Sequence, residues 1–128
     1  MQTAITEGVI IRVKPTFRAD LSDITHHRFF FNYSIEIKNT NHFPVQLLHR
    51  DWFIFDSLNE SDFVSGEGVI GVQPVLDVDQ EFSYTSGCEL YSELGAMNGF
   101  YTFKNLLTSE FFQVHIPKFV LEFPPKLN

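Results

Sequence analysis

Phe29-Phe30-Phe31-Asn32-Tyr33-Ser34-Ile35-Glu36-Ile37-Lys38 is the stretch that decides the fold. Its odd positions, Phe29, Phe31, Tyr33, Ile35 and Ile37, are apolar, whereas Asn32, Ser34, Glu36 and Lys38 face the other way and only Phe30 breaks rank. Alternation at a period of two places one set of side chains on each side of an extended chain, so the segment reads as a half-buried β-strand. Asn39-Thr40-Asn41-His42 follows as a turn cluster, because Asn side chains hydrogen-bond locally and tolerate positive φ.

Upstream, Ile5, Val9, Ile11 and Val13 share a parity with Glu7 interrupting, and this first strand is expected to end at Pro15, which has no N–H to donate to a ladder. Downstream, Val45 to Asp56 reads as a long strand with Leu48, Arg50, Trp52 and Ile54 on one face and His49, Asp51, Phe53 and Phe55 on the other. Both faces carry aromatic residues. Ser57 to Asp62 makes a loop, Phe63-Val64 starts a short strand, and Phe82, Tyr84 and Ser86 oppose Glu81, Ser83 and Thr85 in another that ends at Gly87. One helical turn is expected between Glu89 and Gly95, then extended runs over Gly99 to Phe103 and Phe111 to Leu121. Within the last run apolar parity changes from Phe112, Val114 and Ile116 to Phe119, Leu121 and Phe123, and Pro117 there implies an edge strand, a bulge or a switch between sheets. Pro124-Pro125 ends it.

About seven short strands separated by turn clusters, with no sustained helical period, predict one all-β domain over residues 1–128, an antiparallel β-sandwich with Greek-key connections. Trp52 on a central strand suits an immunoglobulin-like or fibronectin type III-like core. A lone cysteine, Cys88, excludes the cross-sheet disulfide of antibody domains, which favours the fibronectin-like version.

Composition narrows the function classes. Nine Lys and Arg against sixteen Asp and Glu leave a formal charge of -7, so the mean field repels a phosphate backbone and nucleic acid is not an expected partner. The sequence shows neither a long apolar run nor a leader-like segment, and a soluble, cytoplasmic protein without membrane association is expected. Cys88 reads as a small buried hydrophobe rather than a reactive thiol. The 15 Phe are an excess that favours strands and a Phe-filled core.

Gly66-Glu67-Gly68-Val69-Ile70-Gly71 fits the G-x-G-x-x-G pattern of dinucleotide-binding loops. That chemistry needs a helix whose N-terminal N–H groups face a pyrophosphate. Here Val69, Ile70 and Val72 are β-branched and Pro74 follows at once, so the glycines are read as supplying positive φ or close backbone approach at a bend. His49 and Asp51 share a strand face roughly 6–7 Å apart, a spacing that offers two metal ligands but no third from His26, His27, His42 or His115. A metal site is therefore not assigned. Arg50 shares its face with Trp52 and must be paired, stacked or held at the rim of the core. Ser86-Gly87-Cys88 lacks a nucleophile elbow, and Asp77 and Asp79 fall in a turn-like segment, so no catalytic residue is named. Phe53 and Phe55 are the stronger lead, since a contiguous exposed apolar patch marks a protein-binding surface.

Leu47-Leu48-His49-Arg50-Asp51-Trp52-Phe53-Ile54-Phe55-Asp56 and Val64-Ser65-Gly66-Glu67-Gly68-Val69-Ile70-Gly71-Val72-Gln73-Pro74 closely resemble the ApaG family. So do Phe82-Ser83-Tyr84-Thr85-Ser86-Gly87, Gly95-Ala96-Met97-Asn98-Gly99 and Phe112-Gln113-Val114-His115-Ile116-Pro117-Lys118-Phe119, in the same order along nearly the whole chain. The resemblance implies a fibronectin type III-like sandwich. It also implies a link to cobalt tolerance and magnesium efflux in bacteria, and a protein-interaction role in eukaryotic relatives such as an F-box protein and a DNA polymerase delta-interacting protein. Nucleotide or pyrophosphate binding, discussed for the family's glycine pattern, corresponds here to Gly66, Gly68 and Gly71. Two departures stand out: Asp51 where the family usually has His, which weakens a shared ligand role, and Val78-Asp79 in place of a Pro-Gly turn.

The leading expectation is a non-enzymatic protein-interaction domain without a cofactor, contacting a protein partner through Arg50, Trp52, Phe53, Phe55 and the loop of Gly66, Gly68 and Gly71. The alternatives are a divalent-cation (cobalt or magnesium) homeostasis protein, and pyrophosphate or nucleotide binding at Gly66–Gly71. Edge strands of an open sandwich also invite a homodimer.

Overall fold

The computed structural model describes residues 1–124, and among them are nine strands. These are β1 (Gln2–Thr6), β2 (Val9–Phe17), β3 (Phe29–Asn39), β4 (Val45–Asp56), β5 (Asp62–Glu67), β6 (Val75–Leu76), β7 (Glu81–Leu90), β8 (Leu94–Asn105) and β9 (Phe111–Glu122). All pairings are antiparallel. One sheet has the order β1-β2-β3-β7, and the other β5-β4-β8-β9 with β6 also on β4. Four strands face five, nine in all where the sequence pattern predicts about seven, and the two antiparallel sheets form the expected sandwich.

Phe29, Phe31, Tyr33, Ile35 and Ile37 of β3 are all buried, as their parity required. Other segments differ from expectation in instructive ways. The first run is a hairpin rather than one strand: Thr6 pairs with Val9 across Glu7 and Gly8, whose φ values of 45° and 77° are those of a two-residue turn with both centres left-handed. Pro15 does not end β2, because it lies past the last residue paired with β1, where β2 has no neighbour on that side. β7 continues beyond Gly87 to Leu90, and Tyr91–Glu93 are bends that carry the chain from one sheet to the other instead of a helical turn. β9 ends at Glu122, two residues before Pro124, and Pro125 lies outside the described residues.

Two bulges reset the side-chain parity. In β4 the register slips between Leu47 and His49, so Val45 and Leu47 are buried before the slip and Trp52 after it. Leu48 is therefore not on the face of Trp52, as simple alternation had placed it. In β9 the register slips opposite Met97 and Gly99, where Ile116 to Phe119 face fewer residues of β8, which accounts for both Pro117 and the parity change. A Cβ on Gly99 would lie 2.0 Å from the Asp51 carbonyl oxygen, so β8 comes this close to β4 only because residue 99 has no side chain.

The core is aromatic and spans both sheets. Trp52 packs against Tyr33 of the first sheet at 5.2 Å between ring centroids and Phe119 of the second at 5.9 Å. The buried hydroxyls of Tyr84 and Tyr101 hydrogen-bond to each other, and burial raises the pKa of both. Asn39, which the sequence places in a turn cluster, is fully buried at the end of β3. Its side-chain amide donates to the carbonyls of Phe43, Leu76 and Asp77, and its Oδ1 accepts the Asn41 N–H, so one side chain ties the β3–β4 connection to β6.

Candidate functional site

Strand parity after the Leu48 bulge decides what β4 shows to solvent. Trp52 and Asp56 turn inward, and Phe53 and Phe55 turn outward, 48% and 50% exposed. β5 lies beside them with Phe63 directly opposite Phe53, the two rings 5.0 Å apart and Phe63 52% exposed. Phe100 of β8 extends the group, 6.4 Å from Phe53. Four phenylalanines thus sit on the outer face of one sheet, away from the core they would normally fill. Strand backbones fix their positions. A cleft of about 380 Å³ opens beside Phe53 and Phe55, with Asp62 and Lys118 at its margin. Sequence reasoning found Phe53 and Phe55 but missed Phe63 and Phe100, whose membership depends on cross-strand register.

The glycine stretch lies at the other end of the β4–β5 ladder, where Glu67 pairs with His49 and the Gly68 N–H donates to the Leu48 carbonyl. Val69 and Val72 exchange backbone hydrogen bonds of 2.8 and 2.9 Å across Ile70 and Gly71, which have φ of 43° and 80°. This is a two-residue hairpin turn with both centres in the left-handed region, and no helix follows it among the described residues. Each glycine has a backbone reason. Gly68 has φ of 62°, and a Cβ there would sit 2.2 Å from the Val72 carbonyl oxygen. Gly66 lies under the Arg50 guanidinium, where a Cβ would meet Nη1 at 2.9 Å. Gly71 is required only by its positive φ, since a Cβ there would touch nothing within 4 Å. Val69 is buried and anchors the hairpin in the core, whereas Ile70 is exposed at its tip, where a β-branched residue at positive φ is strained.

Arg50 belongs to the same assembly. Its Nη1 donates to the Glu67 carbonyl at 2.9 Å and the Gly68 carbonyl at 3.0 Å. The charge that shares a face with Trp52 is thus met by loop carbonyls at the edge of the core rather than by a carboxylate. Trp52 itself is 2% exposed and offers no contact surface. Of the residues singled out in the sequence, Phe53 and Phe55 lie together on the outer face, Arg50 lies with Gly66 and Gly68 at the other end of the β4–β5 ladder, Gly71 stands apart in the turn, and Trp52 is buried in the core.

His49 and Asp51 are joined by a residue the sequence did not suggest. Ser65 Oγ donates to Asp51 Oδ1 at 2.9 Å and lies 2.7 Å from His49 Nε2, leaving the His and Asp groups 3.8 Å apart. Ser, His and Asp are all present, but the order is wrong for nucleophilic attack: the hydroxyl proton goes to the carboxylate, so His49 does not accept it as a base. Among the described residues no three His, Cys, Asp or Glu side chains converge as a metal site.

Cys88 is buried, with the carboxylates of Asp56, Asp62 and Glu89 around it. Burial first, then the charges of Asp56, Asp62 and Glu89, push its thiol from an ordinary 9.0 up to about 11. Two units less acidic means about 100-fold less thiolate at neutral pH, so iodoacetamide should label the native chain at least about 100-fold more slowly than the urea-unfolded chain. Equal rates for the two states would show that Cys88 is neither buried nor held protonated.

Comparison with known proteins gives a consistent set of relatives. The family model for the ApaG domain matches residues 19–105. A Protein ApaG of Methylorubrum extorquens is 41% identical over 124 residues, covering 97% of this chain and 95% of that one. A Protein ApaG of Anaeromyxobacter dehalogenans is 39% identical over 128 residues, covering 100% of each. A crystal structure described as an ApaA protein from Bordetella pertussis superposes with a TM-score of 0.88 at 34% identity, covering 92% of this chain and 95% of that one.

Proposed function

The chain belongs to the ApaG family, and from that premise we propose that it is a non-enzymatic protein-binding module whose contact surface is the outer aromatic face of β4 and β5. One observation carries the reading: Phe53, Phe55 and Phe63 stand about half exposed on one rigid sheet face. Leaving half of each aromatic ring in water gives up roughly 1 kcal/mol of stabilisation per ring, and covering it with a partner recovers that. Aromatic anchors held by strands also bind with little loss of conformational entropy.

Affinity capture with the native chain, repeated with Phe53→Ala and Phe55→Ala, tests the surface. Because both side chains face solvent, the variants should fold with stability changes of less than about 1 kcal/mol and lose retained partners by at least about tenfold. A partner retained equally by all three chains sinks the proposed surface. β1 and β7 are the two outer strands of their sheet, and pairing of either with a second copy gives a dimer mass in light scattering. Cobalt and magnesium homeostasis, and pyrophosphate binding, rest on the family resemblance; saturable heat on titrating cobalt chloride would bring the first of these forward.

A further inference from the structure

Between the two sheets, beside the aromatic face, lies a second cleft of about 440 Å³ whose lining includes Asp56, Glu60, Asp62 and Glu89. None of the residues lining it is basic. An acidic cleft alone says little, since most carboxylates are simply solvated. Asp56 is different. It is 6% exposed; its Oδ2 accepts the Tyr91 N–H at 2.8 Å, whereas its Oδ1 is buried without any hydrogen-bond partner. An unpaired buried carboxylate oxygen is costly and calls for a cationic or donating partner. Ile54, Cys88 and Leu90 supply apolar wall on the same cleft.

We propose that this cleft receives a lysine or arginine side chain of the protein partner, with its head group at the exposed carboxylates of Asp62 and Glu89 over the buried Asp56 carboxylate, and its methylene stem along Ile54. The inference rests on the protein-binding reading and specifies the partner's chemistry. Ile54 and Asp62 line this cleft and also the cleft beside Phe53 and Phe55, so one peptide segment can place an apolar residue on the aromatic face and a basic one here. A long basic side chain matches both parts of the lining, because its stem packs on apolar surface while its charged end meets carboxylates. A bare divalent cation matches less well, since no three ligating side chains converge among the described residues.

The test uses two probes that differ in one charge, acetyl-Leu-Arg-Leu-amide and acetyl-Leu-Gln-Leu-amide, titrated into the 15N-labelled full chain. The arginine peptide should shift the amides of Tyr91, Asp62 and Glu89 saturably, and the glutamine peptide should bind at least about tenfold more weakly, the effect of one charge-assisted contact. Asp56→Asn should weaken the arginine peptide similarly. If that variant melts early, the exposed-rim pair Asp62→Asn with Glu89→Gln gives the same reading on a fold whose core is untouched. Equal binding of both peptides, or shifts confined to Phe53 and Phe55, overturns the basic-side-chain assignment and leaves the aromatic face standing. Saturable shifts at Tyr91 with magnesium or cobalt chloride at lower concentration than the arginine peptide overturn it in favour of a metal. Arginine-peptide binding unaffected by Phe53→Ala supports this cleft and counts against the aromatic face.

Discussion

Gly68→Ala is expected to lower the stability of the fold by about 2–4 kcal/mol, whereas Gly71→Ala should lower it by only about 1 kcal/mol. Both residues sit at positive φ, so each substitution carries the cost of a left-handed L-residue. Only Gly68 adds a collision, because its Cβ would lie 2.2 Å from a backbone oxygen of Val72 that cannot move without opening the hairpin. Gly66→Ala should fall between them, since the atom it meets is the flexible end of Arg50. Urea denaturation of the three variants checks the order. Equal losses for Gly68→Ala and Gly71→Ala would contradict this pattern of clashes.

Trp52→Ala should cost about 3–5 kcal/mol, the range for removing a large aromatic ring from a core that cannot collapse around the gap. The ring contacts Tyr33 of one sheet and Tyr101 and Phe119 of the other, so its loss weakens the join between sheets rather than one strand. Its effect on binding should be indirect, through β4, on whose opposite face Phe53 and Phe55 stand. Chemical denaturation should show a lower midpoint with an unchanged slope. A loss below about 1 kcal/mol would mean that Trp52 is not the bridge between the sheets.

Local alternation was enough to read β3, the length of β4 and the sandwich itself, because period-two burial is written in adjacent residues. The first hairpin was also legible in hindsight: Glu7 interrupts the parity and Gly8 follows it, a two-residue turn between apolar runs. What alternation cannot show is the register of a partner strand. The Leu48 bulge, the pairing of Phe63 with Phe53, and the joining of His49, Ser65 and Asp51 all depend on how β5 and β8 align with β4. Asn39 and Asp56 were hidden for a related reason. Short polar residues at strand ends read as turn formers, and their burial comes from segments distant in the chain: Leu76 and Asp77 around Asn39, Tyr91 beside Asp56.

The glycine pattern was read as bending backbone from its β-branched filling and Pro74, and the hairpin gives each glycine a separate geometric cause. Arg50 was the open question on that face. The sequence required its charge to be met, but the acceptors are main-chain oxygens of Glu67 and Gly68, which side-chain identity does not encode.

The placement of the binding face is tested most directly by cross-saturation from a captured protein partner onto the deuterated, 15N-labelled chain. Signal loss centred on the amides of Phe53, Phe55 and Phe63 is the expected result, weakening toward the Gly66–Gly71 hairpin. Loss centred instead on β7 or β1, with the β4–β5 amides untouched, would contradict it.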